Sequence, residues 1–473
     1  MRNTYSILVA LLLLVSCLSD EQYEAYNEDP KRPTEVSSDL LFNFALKTMF
    51  DQMAETNVNI NVFRMLAQYW TPTAYPDEAN YIWDLRRIPG NHWSRLYRDV
   101  LLDLRSAKEI IQEDPIMPES EKNTRLAQAE VIMVYCWQVL VDSFGDIPYS
   151  QALNSVEYPQ PTYDDGAAIY EDLITRLDAA IGNLNGTGFE VDNLYFGDVS
   201  AWQKFAASLK LRLGIRLADV NPGLASSTVE SALSTGIFTS NNDNAILNYL
   251  GISNPNPVWT DIVQSGRKDY VSANTIVDIM NGLNDPRRSA YFADNLGEDI
   301  YIGGIYGGVN LYENFSQIGP VVLEPTAPST LMDFAEVSFY LAEASARGFN
   351  VGASPEEYYN QAITASFDFW GVPDVSVYLA QPAVAYDSAS GDWREKIGVQ
   401  FWLAMYNRGF EGWTVWRTFD VPALNLPALT ESQVPTRYTF PINEQNLNEQ
   451  NWLNASEAIG GDTQTTRLFW DTQ

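Results

Sequence analysis

Histidine occurs once in this sequence, at position 92, and that count alone removes much metal and nucleophile chemistry. Zinc and iron sites built on pairs of imidazoles cannot form. A Ser-His-Asp triad would have to use His92, and no Gly-x-Ser-x-Gly elbow accompanies it. Beside Trp93, His92 reads as a packing or locally hydrogen-bonded residue. The segment YIGGIYGG at 301–308 has the glycines of a phosphate loop but no lysine after them, and there is no dinucleotide fingerprint. With 61 acidic residues, chance carboxylate pairs are near-certain, so acid content gives no support to a glycosidase. The acids in recognisable contexts have structural readings: Asp146 in a turn, Asp198 as a helix cap, Glu336 and Glu343 on a helix. Asn241-Asn242-Asp243-Asn244 offers oxygens to calcium but lacks the loop length and closing glutamate of a calcium cage. It reads as a surface loop, and a structural calcium elsewhere stays open. The chain therefore reads as a non-enzyme with no cofactor.

What remains is aromatic. Sugar rings present C–H faces that stack on aromatic side chains, and hydroxyls that pair with Asn, Asp and Arg. Two segments offer that mixture. One is 69–93, with Tyr69, Trp70, Tyr75, Tyr81, Trp83 and Trp93 among Asp77, Asn80 and Arg86. The other is 301–315, with Tyr301, Tyr306, Tyr312 and Phe315 among Asn310 and Asn314. Trp83 reads as a loop residue with the polar Asn80, Asp84 and Arg86 close by, and the three tyrosines of the second segment sit among glycines that let a ligand approach the backbone. The candidate binding set is therefore Asn80, Tyr81, Trp83, Arg86, Tyr301, Tyr306, Asn310 and Tyr312. Trp70 and Tyr75 are assigned to packing, and Trp93, Trp202, Trp402, Trp413 and Trp416 to the core.

Helices must position these residues. Ser38 or Asp39 can cap a first helix with Leu41, Phe44, Ala45, Thr48 and Met49 on one face. Helical spacing continues at about 57–68 and 93–112. The stretch 121–142 is apolar nearly all round and belongs at the centre of a stack. Further helices are expected near 164–184, 199–218, 227–235, 271–283, 331–347, 355–370, 394–408 and 444–456, with a short strand at 435–441. The pairs joined by short loops suggest tetratricopeptide-like hairpins, although no strict repeat recurs. Residues 237–330 are rich in Asn, Gly, Pro and Tyr and read as a loop-rich lobe within an all-α body.

The N-terminus carries an address. Arg2, the apolar run Ile7–Val15 and then Leu14-Val15-Ser16-Cys17 fit a bacterial lipoprotein signal, with Cys17 as the lipid acceptor. Residues 1–16 are expected to be removed, 17–37 to form a polar tether, and 38–473 to form the body. Asp20 and Glu21 follow the cysteine closely, as in lipoproteins sent to the cell surface. Net charge is −32, which repels nucleic acid and anionic membrane and leaves room for neutral or cationic ligands. The other cysteine, Cys136, has no partner, so the core must hold by burial alone.

Several strings, in this order behind the lipid signal, resemble the SusD/RagB family of Bacteroidetes surface lipoproteins. They are AQYWTPTAYPDEANY at 67–81, HWSRLYRD at 92–99, DSFGDIPY at 142–149, WQKFAASLKLRLGIRLA at 202–218, NDPRRSAYF at 284–292, FAEVSFYLAEASARG at 334–348 and RGFEGWTVWR at 408–417. FPINEQNLN at 440–448 and DTQTTRLFWD at 462–471 complete the set. The resemblance implies a tetratricopeptide-like helical protein anchored in the outer membrane by lipid and facing outward. It implies a SusC-type TonB-dependent barrel as partner, to which oligosaccharide or, in some members, peptide is delivered. A surface scaffold or adhesin that binds only protein is the reading from another class. The family supplies no catalytic residues, and its binding residues vary too much to carry over.

Overall fold

A computed structural model describes residues 36–83 and 86–473. The signal segment, Cys17 and most of the tether lie outside the described residues.

Ten longer helices form the body: α1 Ser38–Ala54, α2 Leu102–Glu113, α3 Glu119–Phe144, α4 Gly166–Asn183, α5 Val199–Arg216, α6 Pro222–Thr235, α7 Phe334–Ala346, α8 Pro355–Trp370, α9 Trp393–Ala404 and α10 Gly409–Phe419. Neighbours in sequence pack as neighbours in space from α1 through α2 to α6; α7 then packs on α5, and α8 and α9 pack on α7. The fold is thus all-α, as the sequence implies. α3 is the pivot: every residue from Val131 to Phe144 is buried, so it must be covered on several sides. Cys136 lies in this run, its thiol donating weakly to the Leu96 carbonyl at 3.8 Å. No helix among the described residues is long and apolar enough to cross a membrane.

Local chemistry sets where helices start. Asp198 caps α5 by accepting from the Ser200 and Ala201 amides. Ser354 and Glu357 form a capping box on α8, and Asp392 and Glu395 another on α9. Ser37, not Ser38 or Asp39, caps α1. The buried stripe of α1 runs through Phe42, Ala45, Leu46, Met49 and Phe50, and Phe44 is 57% exposed. The helix expected at 57–68 shrinks to Phe63–Leu66. Asn57 and Asn61 accept from the amides two residues on, and these local bonds compete with the helical ladder. The helix expected at 394–408 ends at Ala404, and α10 is a separate helix that the sequence spacing does not predict. The last helix is two, Ile442–Leu447 and Glu449–Ala458. Residues 435–441 form no strand.

Three antiparallel strand pairs stitch distant loops together: β1 Trp70–Pro72 with β5 Tyr270–Ser272, β2 Ile147–Pro148 with β3 Tyr163–Asp164, and β4 Ala245–Leu247 with β6 Ser329–Met332. Between β4 and β6, residues 248–328 hold β5, short turns and helical turns, and one nine-residue helix, Asn274–Gly282.

An ion cluster joins α5, α7 and α10. Arg212 meets Glu336 at 2.5 Å and Glu411 at 3.1 Å, and Arg408 meets Glu336 at 2.5 Å and Asp333 at 3.3 Å. Burial opposes ionisation of Glu336, but Arg212 and Arg408 overcome it and hold the carboxyl below its ordinary range. His92 is fully buried. Its Nδ1 accepts from Gln52 Nε2 at 2.8 Å, which leaves Nε2–H to donate to Ser143 Oγ at 3.2 Å. Burial, with Arg95 nearby, pushes its pKa down to about 3, so the ring is neutral.

Candidate functional site

The two aromatic segments singled out in the sequence do meet. Strand β1 pairs with β5 so that Trp70 faces Ser272 and Pro72 faces Tyr270. The 301–311 loop is then fastened across this small sheet. Asn310 Nδ2 donates to the Pro72 carbonyl at 2.9 Å, and Asn80 Nδ2 donates to the Gly307 carbonyl at 2.8 Å. The Tyr306 hydroxyl donates to the Met65 carbonyl at 2.8 Å, and Thr71 Oγ1 to that of Ile305 at 3.2 Å.

These bonds also correct most of the candidate binding set. Asn80, Tyr81, Trp83, Tyr301, Tyr306 and Asn310 are buried. Trp83 is only 1% exposed; its indole donates to the Glu78 carbonyl at 3.2 Å and its ring meets Tyr438 edge-on at 5.2 Å. Tyr81 lies 6.3 Å from Tyr306, and burial pushes its pKa up to about 12. The Tyr301 hydroxyl donates to Asp294 at 3.2 Å, and Arg288 covers its ring. None of these rings offers a face to a ligand. They are the packing and the ties that hold the loops in place. Tyr312 is partly exposed, but Lys268 sits over its ring at 5.0 Å while pairing with Glu313.

Arg86 alone of the set borders an open cleft. The cleft has a volume of about 490 Å³ and is walled by Asn57 and Asn59 after α1, Tyr75 and Glu78 after β1, and Arg267 and Asp269 before β5. Because β1 and β5 are antiparallel, the end of one and the start of the other fall at the same edge, which brings residues 75 and 267 to one cleft. Arg86 forms an ion pair with Glu78 and reaches Asn59 Oδ1 at 3.4 Å. Burial raises the Glu78 carboxyl above its ordinary range, and Arg86 works against that rise.

Tyr75 is 73% exposed, the opposite of the packing role assigned to it from sequence. Its backbone has φ +56°, in the left-handed region that side chains other than glycine rarely adopt. Gln68, Tyr81 and Arg87 share this conformation, so four of the eleven such residues fall within twenty positions. Each costs about 1–3 kcal/mol and persists only where the surroundings impose it. For Gln68 the surroundings are plain: its amide donates to the Asn425 carbonyl at 2.7 Å and accepts from Thr275 Oγ1 at 2.6 Å. Sequence could have flagged Tyr75, since Pro72 and Pro76 bracket it and exclude it from helix or ladder. Nothing local marks Asn57 or Arg267 as its neighbours.

A second cavity, beside Arg64, Trp370, Asn407 and Arg408, holds about 30 Å³. That admits a water molecule or two but no sugar ring. No group of three His, Cys, Asp or Glu side chains is arranged to hold a metal among the described residues.

A family model of SusD-like proteins, described as starch-binding and associating with the outer membrane, matches residues 30–441. The chain belongs to the SusD/RagB family. Solved SusD-like structures share its fold over almost their whole length. A SusD homolog from Bacteroides uniformis is 26% identical, with a TM-score of 0.76 over 93% of this chain and 100% of that one. A chitin-binding SusD homolog from Flavobacterium johnsoniae is 24% identical, with a TM-score of 0.78 over 91% and 99%. A Bacteroidetes SusD-like protein is 21% identical, with a TM-score of 0.80 over 93% and 100%. No curated protein matches the chain. SusD-like membership accounts for the stack of helices and for loops of irregular backbone pinned by it. Among the loops of this member, the Tyr75–Arg86 cleft is an opening of about 490 Å³, large enough for a small ligand.

Proposed function

We propose that this SusD-like protein is a lipid-anchored outer-membrane protein that captures an oligosaccharide in the Tyr75–Arg86 cleft. It hands the sugar to a SusC-type TonB-dependent barrel and performs no catalysis itself. The observation that carries the reading is the exposed Tyr75 ring. It stands on a left-handed turn at the cleft wall, with amide, guanidinium and carboxylate groups lining the same cleft. An exposed ring beside such polar groups suits stacking on a sugar's C–H face while its hydroxyls are met at the edges. The cleft's two arginines, Arg86 and Arg267, balance its two carboxylates, Glu78 and Asp269. That balance favours neutral sugars over cationic peptides, in spite of the chain's net charge of −32.

Calorimetry against a panel of neutral oligosaccharides and basic peptides tests the ligand class. The expected result is saccharide binding that weakens roughly ten- to thirty-fold in Tyr75→Ala, the loss of about 1.5–2 kcal/mol of stacking and burial. Peptide binding with no saccharide binding would replace the ligand class. Saccharide binding indifferent to Tyr75 would move the site. Gentle detergent extraction with mass spectrometry tests the partner: a TonB-dependent barrel in stoichiometric amount is expected, and its absence would leave a free-standing surface binder.

A further inference from the structure

The NNDN segment at 241–244 plays no part in the cleft, yet it builds one wall of a separate groove. The other wall is α8, and the volume between them is about 470 Å³, within the roughly 300–1,000 Å³ span of small-ligand sites. Gln361, Thr364 and Asp368 line it from one face of the helix, as their spacing of three and four requires. Phe334, half-buried at the start of α7, supplies the apolar part.

Two of the four NNDN residues are braces. Asn241 Nδ2 donates to the Ala365 carbonyl on α8 at 2.9 Å, and its Oδ1 accepts from Asn244 at 3.2 Å. Asn244 Oδ1 in turn accepts from the Phe334 amide at 2.7 Å. The turn itself is held by the Ser240–Asp243 capping box and by Lys204, 2.7 Å from Asp243. The groove's width is therefore set before any ligand arrives. By contrast, the side chains of Asn242, Gln361 and Asp368 make no hydrogen bond or ion pair among the described residues, and all three are exposed.

We infer that this groove is a second saccharide site, for a neutral oligosaccharide laid across Phe334 and held by Asn242, Gln361 and Asp368. Side-chain amides offer a donor and an acceptor side by side, which suits neighbouring sugar hydroxyls, and a carboxylate accepts from two hydroxyls at once. A half-buried aromatic ring in the groove lining suits the C–H side of a pyranose. In a chain with 61 acidic residues the groove lining carries one charge, Asp368. That spacing of polar but uncharged groups fits a neutral ligand better than an ion. No lining residue is shared with the cleft, so the two sites stand or fall separately.

The test uses the full chain carrying Tyr75→Ala, which removes stacking in the cleft. Maltohexaose, cellohexaose, chitohexaose, xylohexaose and mannohexaose are the probes, each followed by calorimetry and by hydrogen exchange. At least one should still bind and should slow exchange in 238–244 and 360–369. Adding Gln361→Ala and Asp368→Ala, both at exposed positions, should weaken that binding ten-fold or more with an unchanged melting temperature. Phe334→Leu, which keeps apolar bulk but removes the ring face, should weaken it several-fold. Failure of all five probes to protect either segment would overturn the groove. So would slowed exchange in 238–244 and 360–369 that survives the double alanine. The same double alanine in a chain that keeps Tyr75 leaves the cleft intact, so cleft binding should persist there and reads out independently.

Discussion

Arg212 and Arg86 each hold a buried glutamate, but they live in different water. The Arg212 and Glu336 side chains are both fully buried, whereas Arg86 keeps 34% of its surface exposed above a nearly buried Glu78. Taking two charges out of water is costly, and Arg212 offsets it with two carboxylates and a bond to the Leu331 carbonyl. The result fixes α5 against α7 and α10. Arg86 is partly screened by solvent, so its pairing is weaker and its nitrogens can be turned toward a newcomer. The helical body uses charge to specify one arrangement. The cleft keeps charge within reach of ligand. Aromatic residues divide the same way: Trp83 is locked under the loop that Tyr75 stands on.

The largest effect should come from the body. Arg212→Met strands Glu336 and Glu411 without their shared guanidinium and should cost about 3–5 kcal/mol in urea unfolding. A loss below about 1 kcal/mol would erase the contrast between the two pairs. Next comes the aromatic layer beneath the cleft. Trp83→Ala should lower stability by about 3–5 kcal/mol through the cavity it leaves against Tyr438.

His92 sharpens the comparison through pH. Its folded pKa is depressed, so the neutral ring favours the native state above the unfolded pKa of roughly 6.5. That contribution is lost as pH falls toward about 3. At pH 5 the loss should already be about 2 kcal/mol relative to pH 8. As the chain's one histidine, its imidazole should give a single NMR resonance that stays at the neutral position from about pH 8 to pH 5. A midpoint near 6.5 would contradict the buried placement. The smallest loss of stability belongs to the cleft. Tyr75→Gly relieves left-handed strain of about 1–3 kcal/mol but adds about 0.5–1 kcal/mol of chain entropy, so stability should hold or rise by up to about 2 kcal/mol and should not fall. Ligand binding should nonetheless fall as in Tyr75→Ala.

The body was far more legible in the sequence than the site. The all-round apolar stretch that became α3, the Asp198 cap, and the short loop between α7 and α8 all rest on neighbours in the chain, and each could be read locally. The buried face of α1 sits one residue on from the expected one, and since a helix turns by about 100° per residue that puts Phe42 on the buried face in place of Phe44. Trp83 misled for a different reason. Asn80, Asp84 and Arg86 close by in the sequence suggest a solvated loop, but the residue that covers it, Tyr438, lies 355 positions away. The cleft needs residues 57, 75, 86 and 267 at one edge; the β1–β5 register brings 75 to 267, and Arg86 reaches across to Glu78 and Asn59.

Cys136 turns the depth of α3 into a clock. Burial raises its thiol well above the ordinary range, so the native protein offers reagents almost no thiolate. Modification must wait until the central helix opens. With reagent in large excess, the labelling rate becomes a direct count of those openings. Ligands for the cleft or the groove, neither of which this sulfur lines, should slow the count by the factor by which they hold the native state together. One inert side chain at the pivot thus gives a binding assay in which the sugar itself carries no label.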